Sequence, residues 1–210
     1  MIYDQQTIHA YEDIKRIAKK YPGRLLDALE CFSQNQYDCK TWLLDCLNQY
    51  PHHFKYKTRD SIDIAILGGW YGLMASLVST EFKLKPINNI HSYDFDPIAK
   101  QIGKWLFPAV DFIEKDITEL NINDKHYSIV INTSCEHIDQ SLLYKSIDSA
   151  PPKTLFVLQS NNMKEIQQHI NCVKNVEQFT EQYKGRLEKI RAYELDKQRY
   201  KRFMIIGVKK

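Results

Sequence analysis

From Ser61 onward, short apolar segments alternate with stretches of helical periodicity, and this alternation constrains the fold more than any other feature of the chain. "IDIAIL" (62–67), "IHSYDF" (90–95), "VDFIEK" (110–115), "YSIVIN" (127–132) and "TLFVLQSNN" (154–162) read as strands. Between them, "GLMASLVSTEF" (72–82), "PIAKQIGKWLF" (97–107, with proline in its first turn) and "DQSLLYKSIDSA" (139–150) read as helices. "NMKEIQQHINCV" (162–173) predicts one more. Strands alternating with helices form a parallel sheet with helices on both faces. A nearly all-apolar strand such as 127–132 suits a position covered on both sides. The last two β segments, "RLEKIRAYEL" (186–195) and "YKRFMIIGVKK" (200–210), are separated by "DKQR" and predict an antiparallel hairpin. The expected class is α/β: a doubly wound, seven-stranded, mostly parallel sheet with a C-terminal β-hairpin.

The chain before that point has a different pattern. Residues 4–49 read as helices, with Ile8, Tyr11, Ile14 and Ile17 on one face, "YPG" at 21–23 as punctuation, and Pro51 ending the third helix. This divides the chain into an N-terminal helical extension or lid, 1–58, and a ligand-binding domain, 59–210. The 210 residues are 43% hydrophobic and 26% charged, a globular balance. A net charge of +3 does not by itself imply nucleic acid. No apolar run is long and unbroken enough to span a membrane, and the N-terminus lacks the pattern of a secretory signal. Five cysteines without a CxxC pair fit reduced thiols in a cytosol better than disulfides or a zinc site. A cytoplasmic protein without a metal is therefore expected.

Four places at predicted strand ends carry the functional signal. In "ILGGWYG", Gly68 and Gly72 are spaced as the first and last glycines of a nucleotide loop, and Trp70 takes the middle position. The other three are "YDFDP" around Asp94, "EKDITEL" around Asp116, and "YSIVINTSCEHI", which runs from the fourth strand into Glu136 and His137. In this order the four places resemble the class I S-adenosylmethionine-dependent methyltransferases, over about residues 61–210. That family usually has an acid two residues before the first glycine and a glycine at the middle position, where this chain has Ile66 and Trp70. The resemblance implies S-adenosyl-L-methionine as cofactor, with S-adenosyl-L-homocysteine as product. It implies cofactor contacts at Gly68, Gly69, Trp70, Gly72, Asp94, Phe95, Asp116, Ile117 and Asn132. Asp94 would bind the ribose hydroxyls and Asp116 the adenine amino group. Glu136, His137 and Asn132 would stand on the catalytic side, with His137 as general base where the acceptor carries a proton.

The residue types suit these tasks. Ligands of open α/β sheets bind beyond the carboxyl ends of the strands. A carboxylate accepts two hydroxyl hydrogens at once. Glycine admits close backbone approach, and histidine titrates near neutrality. Other readings stay open at each position. Gly68 and Gly72 also serve a plain strand–helix turn, Asp116 a turn cap, Asn132 a strand end and His137 a helix start. A small-molecule acceptor is expected, with nucleic acid as the alternative. The nucleic-acid enzymes' [DNS]-P-P-[YFW] and Pro-Cys signatures are absent, and the basic "KQRYKR" (197–202) is the only sign in their favour. Transfer of a group other than methyl, and cofactor binding without catalysis, are further alternatives. The acceptor itself and the oligomeric state have no signature in the chain.

Overall fold

A computed structural model describes residues 5–50 and 60–210. The predicted helix stop at Pro51 and the boundary at 58/59 lie outside the described residues. Three helices come first: α1 (Gln5–Lys20), α2 (Leu25–Glu30) and α3 (Gln34–Asn48). Strand–helix alternation follows: β1 (Ile62–Leu67), α4 (Leu73–Glu81), β2 (Ile87–Asp94), α5 (Pro97–Leu106), β3 (Asp111–Glu114), β4 (Ile129–Asn132), α6 (Gln140–Asp148) and β5 (Leu155–Asn161). Helix α7 (Val176–Tyr183) leads into the hairpin of β6 (Leu187–Asp196) and β7 (Lys201–Lys209). The seven strands lie in the order β3-β2-β1-β4-β5-β7-β6. Strands β1 to β5 are parallel, and β7 runs antiparallel to both β5 and β6. This is the predicted sheet. Among the described residues, no helix is long and apolar enough to cross a membrane.

The period-2 pattern of the strands divides the core into two layers. Ile62, Ile64 and Ile66 of β1 and Met204, Ile206 and Val208 of β7 face one layer, which also takes side chains from α1 to α5. Ala65, Leu67, Phe203 and Ile205 face the other, under α6 and α7. The N-terminal helices therefore share a core with the sheet. Leu43, Leu44 and Leu47 of α3 are at most 1% exposed. At about 2 kcal/mol each, they outweigh the partly exposed Lys197–Asp38 pair that also ties α3 to the hairpin.

The helix boundaries follow their caps. Asp96 accepts from the Ile98 N–H at the start of α5, where Pro97 needs no partner. Ser33, Asp139 and Asn175 cap α3, α6 and α7 in the same way.

Two expectations change. In the predicted apolar face of α1, Ile17 is 2% exposed, but Tyr11 is 61% and Ile14 40% exposed. The helix is held at its C-terminal turn, where Arg16 and Lys20 lie over the Trp105 ring and Tyr21 stacks on it. Further from that turn, Tyr11 and Ile14 stay uncovered. The helix predicted over 162–173 is instead an irregular segment, and α7 follows it. Polar side chains of this segment bond elsewhere. Asn171 donates from Nδ2 to the carbonyls of Cys135 and Ile138, and the Val173 N–H donates to the Asn161 carbonyl. These tertiary bonds outweigh a helix whose apolar stripe includes Ile170, which is 66% exposed.

Candidate functional site

The turn after β1 follows the glycine pattern more closely in conformation than in sequence. Gly68, Trp70 and Gly72 have φ of 64°, 50° and 96°, all left-handed. At Trp70, a non-glycine residue keeps the conformation of the glycine it replaces. This turns its N–H toward Asp94, whose Oδ2 accepts it at 2.8 Å. The adjacent Gly69 donates to the Tyr93 carbonyl at 2.9 Å, and a Cβ there would sit 2.0 Å from the Ser92 hydroxyl. A Cβ at Gly72 would sit 2.4 Å from the Phe112 ring. Ile66, in the family's acidic position, is buried in the core.

Asp94 ends β2. Its second oxygen accepts from the Asp96 N–H at 3.0 Å, and burial raises its carboxyl above the usual range. Asp94 lines a cavity of about 860 Å³ at the carboxyl ends of β1, β2 and β4, a volume within the usual range for small-molecule sites. Of the predicted residues, Gly68, Gly69, Trp70, Asp94, Phe95, Asp116, Ile117, Glu136 and His137 line it. Phe95 is 75% exposed, a large apolar ring that no core contact explains. Asp116 is exposed and caps the short turn after β3 by accepting from the Thr118 N–H at 2.8 Å. Gly72 and Asn132 lie outside the cavity wall. The fully buried Asn132 accepts from the Ser134 N–H at 2.8 Å, and its Nδ2 has no partner.

Glu136 is 3% exposed. Its Oε1 accepts from Arg202 Nη1 at 2.7 Å and from Asn161 Nδ2 at 2.7 Å, while Oε2 has no partner. Arg202 also donates to the Thr133 carbonyl. His137 stands exposed at the rim and donates from Nδ1 to the Gln168 carbonyl at 3.2 Å. Desolvation lowers its pKa, partly offset by Glu136, and His169 lowers it further, so the ring is neutral at pH 7. Cys135 is fully buried, and burial pushes its thiol far above the usual range, which removes it as a nucleophile.

The sequence reading missed one group entirely. Lys40 of α3 lines the cavity at 8% exposure and donates to Gln36. Burial, with Arg202 nearby, brings its pKa down to about 8. Arg24, Cys31 and Gln36 join it from the N-terminal helices, and Arg202 comes from β7. Arg202 had a signal in "KQRYKR", but that stretch reads most simply as a solvated hairpin. Lys40 has no local signal in the sequence.

No protein-family model matches the chain, and no curated protein matches it. Solved structures do. The CurJ carbon methyltransferase is similar at a TM-score of 0.70 and 12% identity, covering 92% of this chain and 60% of that one. The chain thus spans three-fifths of that protein's length. The plantazolicin methyltransferase BpumL, solved with a pentazolic desmethylPZN analog and SAH, is similar at a TM-score of 0.66 and 13% identity, with both chains covered fully. The N-methyltransferase NodS from Bradyrhizobium japonicum WM9 is similar at 0.63 and 10%, covering 85% of this chain and 98% of its own. The chain has the seven-stranded fold of the class I S-adenosylmethionine-dependent methyltransferases.

Proposed function

We propose that the chain binds S-adenosylmethionine and methylates a small-molecule acceptor carrying an anionic group. One observation carries the cofactor reading. A partly buried carboxylate, Asp94, is clamped to a left-handed glycine-type turn and faces a cavity large enough for a nucleoside and an acceptor. The SAH bound to the plantazolicin methyltransferase supports it. Asp94 would accept from the ribose hydroxyls. Phe95 offers a face for the adenine, Asp116 an acceptor for its amino group, and Ile117 an apolar wall. Trp70 would close the pocket beside the sulfonium.

When bound, S-adenosylmethionine supplies a methyl group on positively charged sulfur. The protein supplies position, which can contribute roughly 7–11 kcal/mol. Neutral His137, with Nδ1 donating to Gln168, presents Nε2 to take a proton from the acceptor. The acceptor's charge is read from the opposite wall. Lys40 is buried, Arg202 is partly buried, and Glu136 is the ion-pair partner of Arg202. Among the described residues, Lys40 pairs with no carboxylate. Burying an unpaired charge costs several kcal/mol, and an anionic acceptor would remove that cost. A carboxylate-bearing small molecule suits two such donors.

Calorimetric titration with S-adenosylmethionine, S-adenosylhomocysteine and NAD tests the reading. The first two should bind at micromolar affinity and NAD should not. Asp94→Ala should weaken both adenosyl ligands at least a hundredfold. Absence of adenosyl binding to the wild-type chain, or full affinity in the variant, would refute the assignment.

A further inference from the structure

Beside the acceptor wall, three side chains converge that the methyl-transfer reading uses only in part. Glu136, His137 and His169 each bring one potential ligand atom within 4.8 Å of the others. His137 and His169 pack edge to face, with ring centroids 4.5 Å apart. Both rings have the same second bond. His137 Nδ1 lies 3.2 Å from the Gln168 carbonyl, and His169 Nδ1 lies 3.0 Å from the Met163 carbonyl. A carbonyl only accepts, so each Nδ1 carries a proton and Nε2 is the nitrogen left to bind a metal. This is the arrangement of metal-binding histidines, whose other ring nitrogen is fixed by a backbone carbonyl or a carboxylate.

The third member supplies an independent observation. Glu136 is 97% buried, and Arg202 and Asn161 both bond its Oε1, leaving buried Oε2 without a partner. An unmade bond at a buried polar atom costs about 1–3 kcal/mol, more for a charged one. Edge-to-face packing of the two histidines does not explain that free oxygen, whereas a cation beside it does.

The three residues are also pre-positioned. The Asn171 N–H donates to the Glu136 carbonyl at 2.9 Å, and its side chain donates to Cys135, Ile138 and Gln140. One residue thus ties the His169 segment to the turn bearing Glu136 and His137.

We propose that Glu136, His137 and His169 bind a first-row divalent metal ion at the cavity wall, a state in which His137 Nε2 is a ligand and no longer the base. Two imidazoles and one carboxylate form a donor set of borderline softness, suited to zinc, iron(II) or manganese(II). Ligands of a tetrahedral shell at 2.0–2.2 Å lie about 3.4 Å apart, so the three close onto an ion by side-chain rotation. The remaining positions open toward the cavity that Glu136 and His137 line. Cys172 is the competing ligand, but its Sγ lies beside His169 Nδ1, at 3.8 Å, rather than Nε2, and bonds Asn161 Oδ1 at 3.4 Å. Arg202 and Lys40 add positive charge, so the ion favours an anionic donor in the open positions.

The test is titration of the full chain, freed of metal by chelator dialysis, with zinc(II) and cobalt(II). Calorimetry and the cobalt absorption spectrum are the readouts. One ion per chain is expected at micromolar affinity or tighter, with no thiolate charge-transfer band. His169→Ala and the exposed-ring variant His137→Ala should each lose at least tenfold in metal affinity while melting within a few degrees of wild type. Equal affinity in wild type and both variants would overturn the site, as would no binding, or a charge-transfer band that Cys172→Ser abolishes. Titration of the same metal-free protein with S-adenosylhomocysteine separates the two proposals. A chain that takes the ion but not the nucleoside upholds the site and refutes the cofactor reading.

Discussion

Trp70 and Lys40 both stand where residue type and surroundings conflict. A tryptophan with φ of 50° costs about 1–3 kcal/mol of backbone strain. The turn keeps that conformation because it aims the Trp70 N–H at Asp94. The sequence showed Trp70 in the place of the pattern's middle glycine but not that the backbone keeps a left-handed conformation there. Lys40 pays in charge, with a pKa brought down to about 8 by burial. Lys40→Met keeps the stem and removes the ammonium, and should stabilise the free protein by about 1–3 kcal/mol at pH 7. The sign follows from linkage. Below pH 8 the lysine is charged in both states, and the folded state carries the full penalty. Above pH 8 the folded lysine loses its proton first, so wild-type stability gains with pH until the unfolded lysine also titrates. Denaturant melts of both proteins from pH 7 to 10 should show the variant's advantage shrinking. An advantage independent of pH would mean that Lys40 is not charged at neutrality.

Among the elements, the best-read ones carry their own punctuation. β1 was legible to the residue at 62–67, and α5 through Asp96 and Pro97. β2 begins at Ile87 rather than 90, because its polar start pairs with Ile62 and Asp63 of β1, and no apolar alternation marks such a start. Helix α7 did have a signal, with Asn175 as cap and Phe179 and Tyr183 one turn apart on the buried side. The apolar spacing of the preceding segment drew the helix there instead. Asn175→Ala should cost about 1 kcal/mol in a chemical melt and leave S-adenosylhomocysteine affinity unchanged, since the cap lies outside the cavity wall. A loss of affinity would link α7 to the site. The strand-end acids and the Glu-His pair were legible because they follow a local pattern. Lys40 and His169 were not, because only the fold brings residues 40 and 169 to the strand ends.

Across the whole molecule, the N-terminal helices and the sheet share one apolar layer, with Ile17, Ala28, Leu43 and Leu47 in the same cluster as Ile64, Val78 and Met204. Such a chain should melt as one unit. Far-ultraviolet circular dichroism and tryptophan fluorescence should give coincident transitions, since Trp42 lies in α3 and Trp105 in α5. Two separated transitions would show that the helices form a detachable lid. Strand order adds a consequence in time. β7 is the last strand in the chain, yet it lies between β5 and β6. As the chain leaves the ribosome, β6 has no neighbour to join, and the edge of β5 stays open until residues 201–209 emerge. Arg202 arrives on that same strand, so Glu136 gains its cation only then. The growing chain therefore has no finished pocket, and chemistry has to wait for the final insertion.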